Sequence, residues 1–140
     1  MTAEDSVDEL IDALVRCTFQ VTGVLTRIGA DNDMSLTQLR VFGILRDRRL
    51  RVTDLAAYLG LDKSTMSGLI DRAERRGLLA RAKNPSDGRV VEVFMTPLGH
   101  SLTQRLDGEV RAALTPDLAR LHPTQRTQLL TLLQPLLPAE

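Results

Sequence analysis

Leucine fills 25 of the 140 positions, and at both ends of the chain it recurs with other aliphatic residues at three- and four-residue steps. Val7, Leu10, Ile11, Leu14, Val21, Leu25 and Ile28 predict an amphipathic helix from about Asp5 to Ile28. Leu98, Leu102, Leu106, Val110, Leu114, Leu118 and Leu121 predict a second long helix, which Pro116 is expected to kink or divide. His122-Pro123 opens a last helix carrying Leu129, Leu130, Leu133, Leu136 and Leu137. With aromatic residues at only 3%, this pattern favours helices packed through aliphatic ridges over a β-sandwich.

Between these helices the punctuation is dense. Gly29 and the run Asp31-Asn32-Asp33 are expected to end the first helix. Ser35 and Gln38 form a capping-box pattern ahead of Leu39, Phe42 and Leu45. Thr53 is the expected N-cap of a short helix with Leu55, Ala56 and Leu59. Gly60 breaks that helix and Asp62 caps the next, the spacing of a helix-turn-helix. The helix after Asp62 reaches about Arg76, with Gly77 as a left-handed C-terminal cap. Residues 78–83, the turn Asn84-Pro85-Ser86-Asp87-Gly88 and residues 89–95 read as strand, turn, strand. Thr96-Pro97 restarts a helix, with threonine as cap and proline at its first position. The expected fold class is mainly α with a small β-hairpin wing, in one domain. Residues 35–96 form its central lobe, and residues 1–34 and 97–140 its flanking helices.

Formal charge is zero, but its distribution is uneven. Residues 1–35 hold two basic and seven acidic groups, a net of −5; residues 36–95 hold twelve and seven, a net of +5; the remainder balances. A polyanion feels the field within about 8 Å at physiological salt, so the middle segment is the candidate phosphate-facing surface. The stretch from Leu129 to Leu137 is too short to span a bilayer, and the acidic start (Glu4, Asp5, Asp8, Glu9), with no basic region ahead of an apolar run, gives no expectation of a signal peptide. With Cys17 as the single cysteine there is no intrachain disulfide. The chain is expected in the cytoplasm, with no membrane partner and no cofactor.

On the helix after Asp62, Met66, Leu69, Ile70 and Ala73 fall in one sector and should pack inward. The opposite sector carries Ser64, Ser67, Gly68, Asp71 and Arg75, flanked by Thr65 and Arg72. A face meant only for water is usually filled with Glu, Lys and Gln; this one is small, hydroxylated and basic. Lys63, Ser64 and Thr65 suit phosphate anchoring. Ser67, Gly68, Arg72 and Arg75 suit groove reading, since arginine can bond guanine bidentately. Gly68 costs its helix up to about 1 kcal/mol relative to alanine, which makes sense where a ligand approaches the backbone and is otherwise tolerated drift. Arg89, beside the Asp87-Gly88 turn, suits a narrow minor groove. Asp87 is expected to pair with Arg72 or Arg89 and, with Gly88, to stabilise the wing.

With these residues in view, the chain resembles the MarR (multiple antibiotic resistance regulator) family of winged-helix transcription factors. The matching stretches are Val52-Thr53-Asp54-Leu55-Ala56, Leu61-Asp62-Lys63-Ser64-Thr65-Met66-Ser67, and Ile70-Asp71-Arg72-Ala73-Glu74-Arg75-Arg76-Gly77-Leu78. Arg81, Asn84-Pro85-Ser86-Asp87-Gly88-Arg89 and Met95-Thr96-Pro97-Leu98-Gly99 complete the match. The ordered combination of helix-turn-helix, Asp-Gly-Arg wing and Thr-Pro-x-Gly is specific. The resemblance implies a homodimer with its terminal helices intertwined, bound to a pseudo-palindromic operator, usually as a repressor released by a small molecule. Half-site centres should then lie about 10 bp apart. Effectors in the family are often phenolic or other lipophilic anions, for which Arg16 and Arg27 are the candidate partners. Family recognition helices often carry a bulky polar or basic residue where this chain has Gly68, which bears on base preference.

Three rivals stand beside this reading. An enzyme would need convergent polar groups, and His100 and His122 lie far apart near helix starts, as caps or surface residues; no HExxH, phosphate loop or nucleophile elbow is present. A winged-helix module that binds protein and leaves DNA alone is the second. The third is a thiol sensor using Cys17, next to Arg16, set against the usual behaviour of a buried free cysteine as a small hydrophobe. Metal sensing lacks a His/Cys/carboxylate cluster.

Overall fold

A computed structural model describes residues 2–138. The chain runs α1 (Ala3–Asp31), α2 (Leu36–Ile44), α3 (Val52–Leu59), α4 (Lys63–Arg75), β1 (Leu79–Lys83), β2 (Val91–Met95), α5 (Pro97–Leu118) and α6 (Pro123–Leu133), with a closing 3-10 turn at Gln134–Leu136. β1 and β2 form an antiparallel hairpin in the register Leu79 to Met95 through Lys83 to Val91. This is a mainly helical winged helix-turn-helix flanked by long terminal helices. Among the described residues, no helix is long and apolar enough to cross a membrane.

Local capping explains most of the boundaries. Thr2 and Asp5 close a capping box on α1, Ser35 and Gln38 another on α2, and the His122 ring and Gln125 a third on α6. Gly60 (φ 67°) and Gly77 (φ 75°) take the left-handed backbone that ends α3 and follows α4.

Several expectations need correction. α1 passes through Gly29 instead of ending there, because Gly29 is a packing residue: a Cβ would strike the Met34 carbonyl oxygen and the Leu39 side chain. Thr53 does not cap α3. Arg51 holds the cap position with no side-chain cap bond, and its guanidinium instead grips Asp54 in the first turn at 3.0 Å through both Nε and Nη2. That acidic residue also complements the positive end of the helix dipole. Pro116 does not divide α5, which continues to Leu118 and ends there. α6 stops at Leu133, four residues short of Leu137, where Pro135 falls within the 3-10 turn. Leu50 adds an unforeseen rung to the hairpin, exchanging backbone hydrogen bonds with Val93 at 3.1 and 2.7 Å.

One hydrophobic core joins helices α1 through α5 and the hairpin, and leaves α6 outside it. Leu45, Leu55, Met66, Ile70 and Val93 are its fully buried large side chains, and Ile28 of α1 with Leu102 and Leu106 of α5 extend it toward the terminal helices. The Thr96-Pro97-Leu98-Gly99 sequence fastens the hairpin base to α5. Thr96 Oγ1 donates to the Gly77 carbonyl at 2.6 Å and accepts from the Gly99 amide, while the Thr96 amide donates to the Leu78 carbonyl. Gly99 is buried against that same carbonyl, and a Cβ there would collide with it and with Met95. Gly99→Ala is therefore expected to destabilise the fold by about 1–3 kcal/mol through overpacking. Denaturant unfolding checks this; an unchanged midpoint would show that the hairpin–α5 joint is slack.

Candidate nucleic-acid interface

The inner sector of α4 is sealed: Met66 and Ile70 are fully buried and Ala73 nearly so, with Leu69 half-buried. Packing against α3 thereby turns Lys63, Ser64, Thr65, Asp71, Arg72 and Arg75 outward, with Ser67 and Gly68 half-buried beside them. Nothing in the chain's own packing requires glycine at 68, since a Cβ would meet only the Arg72 Nη1 atom, at 3.9 Å.

The N-terminus of α4 is organised around Asp62. Its carboxylate accepts from the Ser64 hydroxyl at 2.6 Å, the Thr65 amide at 2.7 Å and the Thr65 hydroxyl at 2.8 Å. These bonds, Ser64 first, draw the Asp62 pKa down to about 2. Both hydroxyl protons thus point at Asp62 in the free protein. A phosphate oxygen, itself an acceptor, would have to compete with that carboxylate for them.

The basic residues of the middle segment divide into two groups. Arg46 pairs with Asp107 of α5 at 2.8 Å, Arg51 with Asp54, and Arg81 with both Asp71 and Glu74 of α4. Arg49 lies 4.4 Å over the Phe94 ring and near Glu92, and Arg76 bonds backbone carbonyls. Among the described residues, Lys63, Arg72 and Arg75 of α4 have no such partner and are exposed, as are Arg40 of α2 and Lys83 of β1. The spread of charge along the sequence therefore overstates the positive surface. The Arg81 clamp was not legible as such: it ties β1 to the outer edge of α4, and its only sequence signal was its place in the family-like motif.

At the wing tip, Asp87 pairs with Arg89, not Arg72. Its carboxylate accepts from the Arg89 backbone amide and Nε, both at 3.1 Å, which lowers the Asp87 pKa. The Arg89 side chain is nonetheless 91% exposed. Asn84 organises the turn by accepting from the amides of Ser86 and Asp87. Gly88 takes no left-handed backbone, and a Cβ there would meet nothing within 4 Å. Arg16 and Arg27 are exposed on α1, eleven residues apart and so about 16 Å along one face. Cys17 is exposed rather than buried, while His122 caps α6 and His100 is exposed on α5.

A sequence profile of the MarR family matches residues 32–90, from the end of α1 through the wing. The chain is 30% identical over 95 residues to the HTH-type transcriptional regulator YfiV of Bacillus subtilis (strain 168), covering 67% of this chain and 59% of that one. It thus spans less than two thirds of that relative's length. A MarR family protein from Bacillus stearothermophilus superposes with a TM-score of 0.86 at 22% identity, over 97% of this chain and 96% of that one. CouR from Rhodococcus jostii RHA1, solved bound to p-coumaroyl-CoA, gives 0.75 at 26% identity over 96% of both chains.

The Asp62 geometry has a direct consequence for acid stability. Its pKa lies below the ordinary 3.8, so the stabilisation it contributes is complete above about pH 4 and is lost as pH falls toward 2. Asn is a comparable N-cap that does not ionise over this range. Asp62→Asn should therefore lose less stability than the native chain between pH 4 and 2 when thermal unfolding is followed at each pH. Parallel curves would mean the cap does not carry that acid sensitivity.

Proposed function

The chain belongs to the MarR family, and from that premise we propose that it is a cytoplasmic, homodimeric transcriptional regulator that represses from a pseudo-palindromic duplex operator. The observation that carries this reading is the outer face of α4, whose Lys63, Arg72 and Arg75 have no ionic partner among the described residues, although neighbouring Asp71 and Glu74 pair with Arg81. Arg72 and Arg75, with Ser67 and the bare backbone at Gly68, read the major groove. Arg89 enters the flanking minor groove. Lys63 anchors phosphate together with Ser64 and Thr65, whose hydroxyls turn from Asp62 as the phosphate arrives. Asp87 keeps Arg89 pointed along the wing, and the Gly88 turn leaves room beside it.

Dimerisation is supported by what the terminal helices leave uncovered. Val7, Leu10, Ile11 and Leu14 form an exposed stripe on α1, and α6 buries none of its residues although Leu130 and Leu132 are 58% and 70% exposed. Apolar surface of this extent marks an interface. Residues 1–34 and 97–140 thus act as the dimerisation helices, and residues 35–96 as the DNA lobe. A lipophilic or phenolic anion, of the broad kind CouR holds in its p-coumaroyl-CoA complex, is the proposed releasing effector. Glu9 and Asp12 line the same groove as Arg16 and weaken the field for an anion there, which makes Arg27 the better of the two candidate partners.

Binding to an inverted repeat from the chain's own promoter should fall steeply with salt. Arg89→Ala should weaken it and make the log–log salt slope shallower by about 1 per wing, with the dimer intact by sedimentation. An almost flat salt dependence of the native protein would count against the interface. Leu10→Glu combined with Leu14→Glu should convert the dimer to monomer in analytical ultracentrifugation, and a persistent dimer would place the interface elsewhere.

A further inference from the structure

The link between α1 and α2 is a junction of unusual connectivity. The Arg76 guanidinium, at the C-terminal cap of α4, donates to two successive carbonyls of that link: Nη1 to Asp33 at 2.9 Å and Nη2 to Asn32 at 3.0 Å. Asn32 is itself bonded in two further directions. Its Nδ2 donates to the Ile28 carbonyl of α1 at 2.8 Å and to Glu109 of α5 at 3.3 Å, and its Oδ1 accepts from Arg105 of α5 at 2.9 Å. One side chain and one carbonyl thus tie together α1, α5 and α4.

Two further features fit this arrangement. The last turn of α1 contains no basic residue, so the negative end of its dipole receives its cation from outside, from Arg76 on the two carbonyls that follow the helix. Asp33 also takes a left-handed backbone (φ 55°), the only non-glycine residue with positive φ among those described. Such a conformation is uncommon for a residue with a Cβ and persists where surrounding contacts over-determine it. Here it accompanies two adjacent carbonyls that both accept from one guanidinium.

We propose that Arg76 and Asn32 form a positioning joint that locks the recognition helix to the dimerisation helices, and so sets which half-site spacing the dimer accepts. Arg76 is then a strut rather than a DNA contact, despite lying in the basic segment beside Arg75. This rests on the regulator reading above. If α1 and α5 hold the two subunits together, whatever fixes α4 to their junction fixes the separation and tilt of the two recognition helices. Weakening the joint lets each lobe pivot, so misfit spacings are tolerated better and the best spacing is bound less tightly.

Two measurements test this, and the first needs no DNA. Spin labels on Lys63→Cys, in a Cys17→Ser background, report the distance between the two α4 helices by pulsed electron resonance. The native dimer should give a narrow distribution, and both Arg76→Gln and Asn32→Ala should broaden it; an unchanged distribution overturns the proposal. In the second, unlabelled protein is titrated against duplexes whose half-sites are moved in single-base-pair steps. Arg76→Gln should lose about tenfold at the best spacing, as expected for a paired charge-assisted hydrogen bond, with little change at the others. An equal loss at every spacing, with a shallower salt slope, would make Arg76 a phosphate contact and overturn the strut. Failure of the native dimer to bind any duplex counts against the regulator reading alone, since the distance measurement still decides the joint.

Discussion

The inward face of α4 is the constraint from which the rest of the interface follows. Met66 and Ile70 are buried completely in the same cluster as Leu55 of α3 and Val93 of β2. A helix of 13 residues with one face sealed in this way has no freedom to roll. Its polar sector must then face outward at a fixed angle. Removing a large aliphatic side chain from such a site costs about 2–5 kcal/mol, far more than any single exposed contact contributes. The orientation of the basic face is therefore decided by apolar packing, and its charges only exploit it.

Around that helix the fold gives several cations a fastening task. Arg46 fastens the end of α2 to α5, Arg81 fastens β1 to α4, and Arg76 fastens α4 to the end of α1. Among the described residues of the middle segment, the cations left exposed without such a partner are Lys63, Arg72 and Arg75 on α4, with Arg40 on α2 and Lys83 on β1, while the wing-tip Arg89 is exposed beside its partner Asp87. The same economy appears at the hairpin base. Thr96 bonds both ends of the Gly77-Leu78 turn's return path, and Gly99 permits α5 to lie directly on a backbone carbonyl. The Thr-Pro-Leu-Gly sequence is thus a joint between wing and helix, distinct from the surface that would meet DNA.

The terminal helices have the opposite character. Their outer halves hold much of the leucine of the chain yet bury little of it within one subunit, and α6 contributes nothing to the core. Their hydrophobic pattern is as regular as that of any core helix, which is why periodicity alone does not distinguish a helix that packs within a subunit from one that waits for a second.

Helix existence, most caps, the hairpin and the outward set on α4 were legible in the sequence, because each depends on residues within a few positions of one another. Ser35 with Gln38, Asp62 with Thr65, and Thr96 with Gly99 are all local bonds. The exceptions have long-range causes. Gly29 looked like a helix stop, but it is a contact point for Met34 and Leu39 once the chain turns back. Leu50 carried no local signal for a strand, but it pairs with Val93. Which arginines remain available was decided only by the tertiary structure: Arg46 finds Asp107 across 61 positions and Arg76 finds Asp33 across 43. Charge and periodicity are properties of the chain, whereas the partner of a long, flexible cation is chosen by whatever the packed core brings within about 3 Å of it.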